Sequence, residues 1–205
     1  MNLKLWVALA VIAVLGAARA DERLPLVGRQ DHAVATFAGG CFWCVEEAFD
    51  HVRGVVSTTS GYTGGRLPNP TYEQVSMGGS GHLESVQVIY DPDVVSYRQL
   101  LDVFWRNIDP TDAGGQFCDR GSSYRSAIFY RNDEQRRLAE TSKLEIERAR
   151  RFEVVTPILP AQTFYSAEGY HQDYHEKNPI RYKLYKWNCG RARRLEEVWG
   201  EKAAR

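Results

Sequence analysis

The sequence predicts a single domain of α/β or α+β class, on three observations. Short apolar, β-branched runs of strand length alternate with stretches of helical periodicity. Clusters of Gly, Pro, Asn and Asp separate them. The 205 residues, 43% hydrophobic and 25% charged, suffice for one full core and carry no internal repeat or low-complexity tract.

The elements follow in order. Residues 1–20 read as a secretory signal peptide: Lys4 gives a basic start, Leu5 to Ala18 is apolar, and Ala18-Arg19-Ala20 is a small-x-small cleavage site. The run is short for a membrane span, and residues 21–32 read as a loose leader. Ala33 to Ala38 is an apolar strand ending at Gly39-Gly40, and Cys41 to Phe49 is a helix. Val55 to Tyr62 is a β-branched strand, and Thr63 to Tyr72 is a turn rich in Gly and Pro. Ser85 to Tyr90 alternates as a strand, stopped by Asp91-Pro92. Ser96 caps a helix whose apolar face holds Leu100, Leu101, Val103 and Phe104. Asp109 to Tyr124 is a loop and Ser126 to Tyr130 a strand. Asn132 or Asp133 caps a charged helix running to about Phe152, and Val154 to Leu159 is the last strand. A short helix near His171 precedes an irregular tail, so residues 33–178 form the expected domain and residues 179–205 its tail.

Charge argues against polyanion binding. The chain has 26 basic and 26 acidic residues, and cleavage of the signal peptide would remove Lys4 and Arg19 from the mature balance, so neither nucleic acid nor an acidic membrane is an expected partner. Arg181, Lys183, Lys186, Arg191, Arg193 and Arg194 form a local basic cluster, read as a solvated surface.

Four cysteines in an exported chain could make two structural disulfides. A domain of this size does not need them, which points to redox chemistry. Cys41 follows a strand and two glycines at a helix N-terminus, where unpaired N–H groups favour thiolate; the alternative is a buried structural thiol. Cys44 lies one turn on, as in dithiol oxidoreductases, but Phe42 and Trp43 between the two look built to line an apolar pocket. No metal is expected, since there is no second C-x-x-C and the His171/His175 pair is remote in sequence; neither nucleotide nor flavin motifs occur.

Seven segments in order carry a resemblance: GCFWCVE from Gly40, GYTGG from Gly61, NPTYEQV from Asn69, GHLESVQVIYDP from Gly81, FWRNIDPT from Phe104, DRGSSYRSAIF from Asp119 and GYHQDY from Gly169. Together they resemble the peptide methionine sulfoxide reductase A family over most of the domain. The resemblance implies a compact ferredoxin-like α/β sandwich, an α+β domain with a mixed sheet. It implies reduction of methionine (S)-sulfoxide, free or in proteins, with Cys41 as nucleophile and Glu84 as acid. Tyr72, Asp119 and Tyr124 would position the sulfoxide oxygen, and Phe42 and Trp43 would hold the methyl group. Ser123 stands where the family commonly has Gln.

Cys41 would become a sulfenic acid, resolved by a second thiol and then reduced by a thioredoxin-like partner without any bound cofactor. Family tails carry the resolving cysteine, which puts Cys189 ahead of Cys44, although the usual Gly-Tyr-Cys ending is missing. Cys118 reads as a neighbour of Asp119. A monomer, exported to the periplasm or another extracytoplasmic space, is expected. Two rivals remain: a dithiol–disulfide oxidoreductase using Cys41 and Cys44, and a non-enzymatic binding module with structural disulfides.

Overall fold

Strand β1 (Ala33–Gly39) is apolar on both faces, which suits only a central strand. In the computed structural model, which describes residues 31–200, it pairs antiparallel with β3 (Leu83–Tyr90) on one side and β6 (Ser126–Tyr130) on the other. The predicted signal peptide and nearly all of the leader lie outside the described residues. The sheet extends through β2 (Val55–Thr63), β7 (Ile158–Pro160) and β8 (Tyr165–Ser166) in the order β7-β6-β1-β3-β2-β8. Only β6 and β7 run parallel, so the sheet is mixed, as expected.

Alternation along the strands sends Phe37, Val86, Val88 and Ile128 into the main core. Ala38, Leu83, Ala127 and Phe129 form a smaller cluster of their own. The main core is completed by α1 (Phe42–Asp50), α3 (Tyr97–Arg106) and α4 (Asp133–Arg150). Phe37 stacks on Phe49 of α1 at 5.0 Å and on Phe104 of α3 at 5.1 Å between centroids. Each such ring buried adds roughly 2–3 kcal/mol of hydrophobic stabilisation. The predicted caps hold: Ser96 forms a capping box with Gln99, and the Asn132 side chain accepts from the Gln135 N–H.

Several expectations are corrected. A helix that the sequence reading did not include, α2 (Tyr72–Ser76), starts at the last residue of the predicted turn; Thr71 and Gln74 close a capping box that compensates for its shortness. The loop after α3 contains a small ribbon, β4 (Gly115–Gln116) with β5 (Asp119–Arg120), followed by a 3-10 turn at Ser122–Tyr124. Strand β7 begins only at Ile158, because the Val155 N–H bonds Pro110 O in the loop after α3.

The largest correction concerns the tail, which is not irregular. After a short helix α5 (Tyr174–Lys177), Pro179 opens α6 (Pro179–Asn188), and α7 (Arg191–Trp199) follows. Leu195 and Trp199, four residues apart, both join the main core, and the Trp199 indole donates to Ile108 O at 2.9 Å. The basic cluster is likewise only partly solvated. Arg191 is buried over the Phe117 ring, Lys186 pairs with Glu47, and Arg194 pairs with Asp109 at 2.7 Å. Aromatic and cationic residues do the packing here, which is why apolar periodicity was too weak to announce a helix.

Candidate active site

Cys41 is the N-cap of α1, directly after the central strand. Its carbonyl accepts from Cys44 N at 3.1 Å and Val45 N at 3.4 Å, which starts the helix. The turn into it requires Gly40: its φ is +84°, and a Cβ there would lie 2.5 Å from the Cβ of Gln116. Gln116 in turn clamps the following loop, donating to Asp109 O and accepting from Asp109 N, both at 2.8 Å.

Glu84 projects from β3, beside Cys41, and is 2% exposed. The Phe42 N–H at the first turn of α1 donates to its Oε2 at 3.1 Å. Burial nevertheless pushes its pKa up to about 8, with the charges of Asp119 and Cys44 adding to the rise against the Phe42 bond. A carboxyl that keeps its proton at neutral pH is a proton donor.

The two thiols share a hydrogen bond, and both are free and buried. Burial raises Cys41, helped by the bond and charge of Cys44 and the charge of Glu84. Cys44 is lowered to about 6, first by the hydrogen bond from Cys41 and, against its burial, by the Arg191 charge. Burial therefore opposes the thiolate that the helix N-terminus favours at Cys41.

The remaining predicted residues converge. Tyr72 opens α2, its N–H donating to Glu168 Oε1 at 2.9 Å. Its hydroxyl bonds that of Tyr124, and the Glu84 charge acts on both. Asp119 sits on β5, its carboxyl raised by burial. Phe42 is buried against Tyr62 at 5.9 Å and His171 at 4.9 Å. The Trp43 indole donates to His171 Nδ1 at 3.1 Å, and its ring stacks on Tyr174 at 3.7 Å. Cys41, Glu84, Tyr72, Tyr124 and Asp119 therefore share one centre, with Phe42 and Trp43 on its apolar side.

Several residues at this centre were not predicted. His171, Tyr174 and Glu168 hold the aromatic wall; the HQDY run around His171 was the available signal. Tyr185 of α6 reaches both Asp119, by hydrogen bond, and Cys41. Cys118 is no bystander: it forms a disulfide with Cys189. Cys44 is therefore the free thiol beside Cys41. Cys118, Asp119 and Cys189 are also the one group of potential metal-ligand side chains among the described residues, but two of the three are consumed by that disulfide.

A protonated carboxyl facing a thiol pair beside an aromatic wall is equipped to reduce a small oxidised group, and comparison with known proteins agrees. The family model for peptide methionine sulfoxide reductase matches residues 33–203. Peptide methionine sulfoxide reductase MsrA of Bacillus subtilis is 54% identical over 171 residues, which is 82% of this chain and 97% of that protein. The solved structure of Mxr1 from Saccharomyces cerevisiae in reduced form aligns with TM-score 0.69 and 34% identity over 72% of this chain and 86% of that one. The same yeast protein in complex with Trx2 aligns with TM-score 0.50 and 26% identity, over 70% and 84%. By its sequence throughout and by its fold, the chain belongs to the peptide methionine sulfoxide reductase family.

Proposed function

We propose that this oxidoreductase reduces the S epimer of methionine sulfoxide, free or in proteins, with Cys41 as nucleophile and Glu84 as acid. The observation that carries the reading is Glu84, a buried carboxyl still protonated at neutral pH beside a helix-capping thiol. The sulfoxide methyl lies against Phe42 and Trp43, and the oxygen points to Glu84, Tyr72 and Tyr124, with Asp119 behind. Phe42 N–H occupies Oε2 of Glu84, leaving Oε1 to hold the transferable proton. Protonation makes the oxygen a competent leaving group as the Cys41 sulfur attacks. The oxygen departs as water and leaves Cys41 bonded to the substrate sulfur as a sulfonium; water then attacks the Cys41 sulfur, methionine leaves with the electron pair of the sulfur–sulfur bond, and Cys41 is left as a sulfenic acid.

Cys44 then attacks the sulfenic sulfur, water departs and a Cys41–Cys44 disulfide forms. The hydrogen bond between these thiols, with Cys189 engaged by Cys118, favours Cys44 over Cys189 for this step. A thioredoxin-like dithiol would restore the pair, a reading supported by the Trx2 complex of the yeast relative. No bound cofactor enters this scheme.

The test is one equivalent of each pure epimer of a methionine sulfoxide peptide, without added reductant. Only the S epimer is expected to be reduced. The peptide spanning Cys41 and Cys44 should lose about two mass units, the mark of an internal disulfide. Reduction of both epimers, or a peptide of unchanged mass, sinks this account. In Cys44→Ser the first turnover should persist and the sulfenic acid should accumulate for dimedone to trap.

The enzyme acts as a monomer in this proposal. Its signal peptide directs it to the periplasm or another extracytoplasmic space, where the reductant must also reside. Among the described residues no helix is long and apolar enough to cross a membrane. Amino-terminal sequencing of the protein recovered from its native compartment checks the signal peptide: a start at Asp21 supports cleavage, and a start at Met1 refutes it.

A further inference from the structure

Tyr185 was invisible to motif reading, yet its hydroxyl stands between two groups of the reacting centre. It donates to Asp119 Oδ2 and hydrogen-bonds the Cys41 thiol, while its ring meets Trp43 edge-on at 5.8 Å. Tyr185 lies on α6, and Cys189 is four residues on, at the end of the same helix and on the same side. Cys189 is bonded to Cys118, whose neighbour is Asp119; the two Cα atoms are 4.9 Å apart. The Cys118 N–H also donates to Cys189 Sγ at 3.2 Å, and that sulfur lies 3.9 Å from Asp119 Oδ2. One covalent bond therefore fixes the helix carrying Tyr185 to the loop carrying Asp119.

We propose that Tyr185 is a further catalytic residue, whose hydroxyl stabilises Cys41 as it ionises, and that the Cys118–Cys189 disulfide is the clamp that holds it there. A tyrosine hydroxyl has one proton. With Cys41 protonated and donating to Cys44, the tyrosine proton goes to Asp119. When Cys41 ionises ahead of attack, its proton passing to the Cys44 sulfur it is bonded to, the tyrosine hydroxyl can rotate its own proton to the Cys41 sulfur, where a hydrogen bond to the charged form is stronger. Burial of this tyrosine, and the charges of Cys41 and Cys44, push its own ionisation far above the ordinary value, so it works as a hydrogen-bond donor and never as an anion. Its geometry depends on the position of α6 against the loop, and the disulfide restricts that position more directly than any single side-chain contact could. The clamp pair is partly exposed, with Cys118 at the surface, whereas Cys41 and Cys44 are buried. A reductant in solution therefore meets the clamp without entering the site, and the state of the clamp would set the acidity of Cys41.

The inference rests on Cys41 being the attacking thiol, and the experiment separates the two claims. The readout is the rate of Cys41 alkylation by iodoacetamide across pH. The groups acting on Cys41 are Cys44 on its own helix, Glu84 on β3, Tyr72 on α2 and Tyr185 on α6. Cys44→Ser serves as the background, so that Cys41 is the sole free thiol. Adding Tyr185→Phe should move the alkylation midpoint up by about one pH unit, tenfold slower near neutrality, with the same plateau at high pH. Adding Cys118→Ser and Cys189→Ser instead should move it in the same direction by less. An unmoved midpoint in the first protein overturns the role of Tyr185, and in the second overturns the clamp. Loss of reactivity at every pH, plateau included, also overturns the claim, since that is damage to the fold. Single-turnover reduction of the S-sulfoxide peptide is run on the Cys44→Ser protein and on the same protein with Cys41→Ala. Turnover surviving Cys41→Ala discards the nucleophile assignment itself, whereas turnover that needs Cys41, beside an unmoved midpoint, discards only Tyr185 or the clamp.

Discussion

Replacing Cys41 by Ser should abolish sulfoxide reduction, by on the order of a thousandfold or more, while leaving the protein folded. A serine hydroxyl ionises far too weakly to attack the sulfoxide and cannot be oxidised as a thiol is. The position makes this an unusually clean comparison. Residue 41 is the N-cap of α1 and offers no side-chain capping bond as cysteine. Serine is among the preferred N-caps, so helix stability should hold or rise slightly. The lost hydrogen bond to Cys44 is replaced by a hydroxyl able to make the same bond. Stopped reactions with one equivalent of S-sulfoxide peptide measure the effect, and thermal melting monitors the fold. If Cys41→Ser keeps more than a few per cent of the first turnover, a different thiol is the nucleophile. Cys44→Ser separates the two thiols from the other side, because it should spare the first turnover and lose only the second. A plain dithiol–disulfide oxidoreductase would instead need both thiols for every cycle.

The candidate centre was legible in the sequence by two routes: local grammar marked Cys41, whereas Glu84, Tyr72, Asp119 and Tyr124 came from the family's motifs and not from their own surroundings. Gly39-Gly40 before an apolar helix located Cys41, and the alternation of Val86, Val88 and Tyr90 located the strand that carries Glu84. What was illegible depends on residues distant in the chain. Cys118 and Cys189 are separated by 71 residues, and nothing local to either announces the other. Tyr185 belongs to a helix whose inward face is made of Tyr182, Tyr185 and Lys186, and such a face has no apolar period to detect. The resting charge of the thiol pair was equally hidden. The helix N-terminus does favour thiolate, but burial and the neighbouring sulfur work against it at Cys41, and burial is a property of the folded state.

Glu84→Gln is expected to slow the reduction step by about 10²- to 10⁴-fold, the usual worth of a positioned proton donor. Gln keeps the shape and an oxygen for the Phe42 N–H, and removes only the transferable proton. The pH profile carries the sharper signature. Glu84 holds its proton below about 8, so the wild-type rate should fall as pH rises through that value. This alkaline limb should vanish in the variant, whose residual rate follows Cys41 alone and increases with pH. Stability must move consistently. The folded pKa of Glu84 lies above its ordinary value of 4.5, so the folded state binds this proton more tightly than the unfolded chain does. Its contribution is complete below about 4.5 and is lost as pH rises to about 8. Above that, the wild-type protein keeps a buried carboxylate and the Gln variant does not, so melting at alkaline pH should favour the variant while melting at acid pH brings the two together. A slowed enzyme that is the more stable protein at high pH fits a buried acid kept for chemistry. A variant that retains its rate, or one whose alkaline limb persists, would assign that limb to another group and leave the dithiol oxidoreductase as the better description of Cys41 and Cys44.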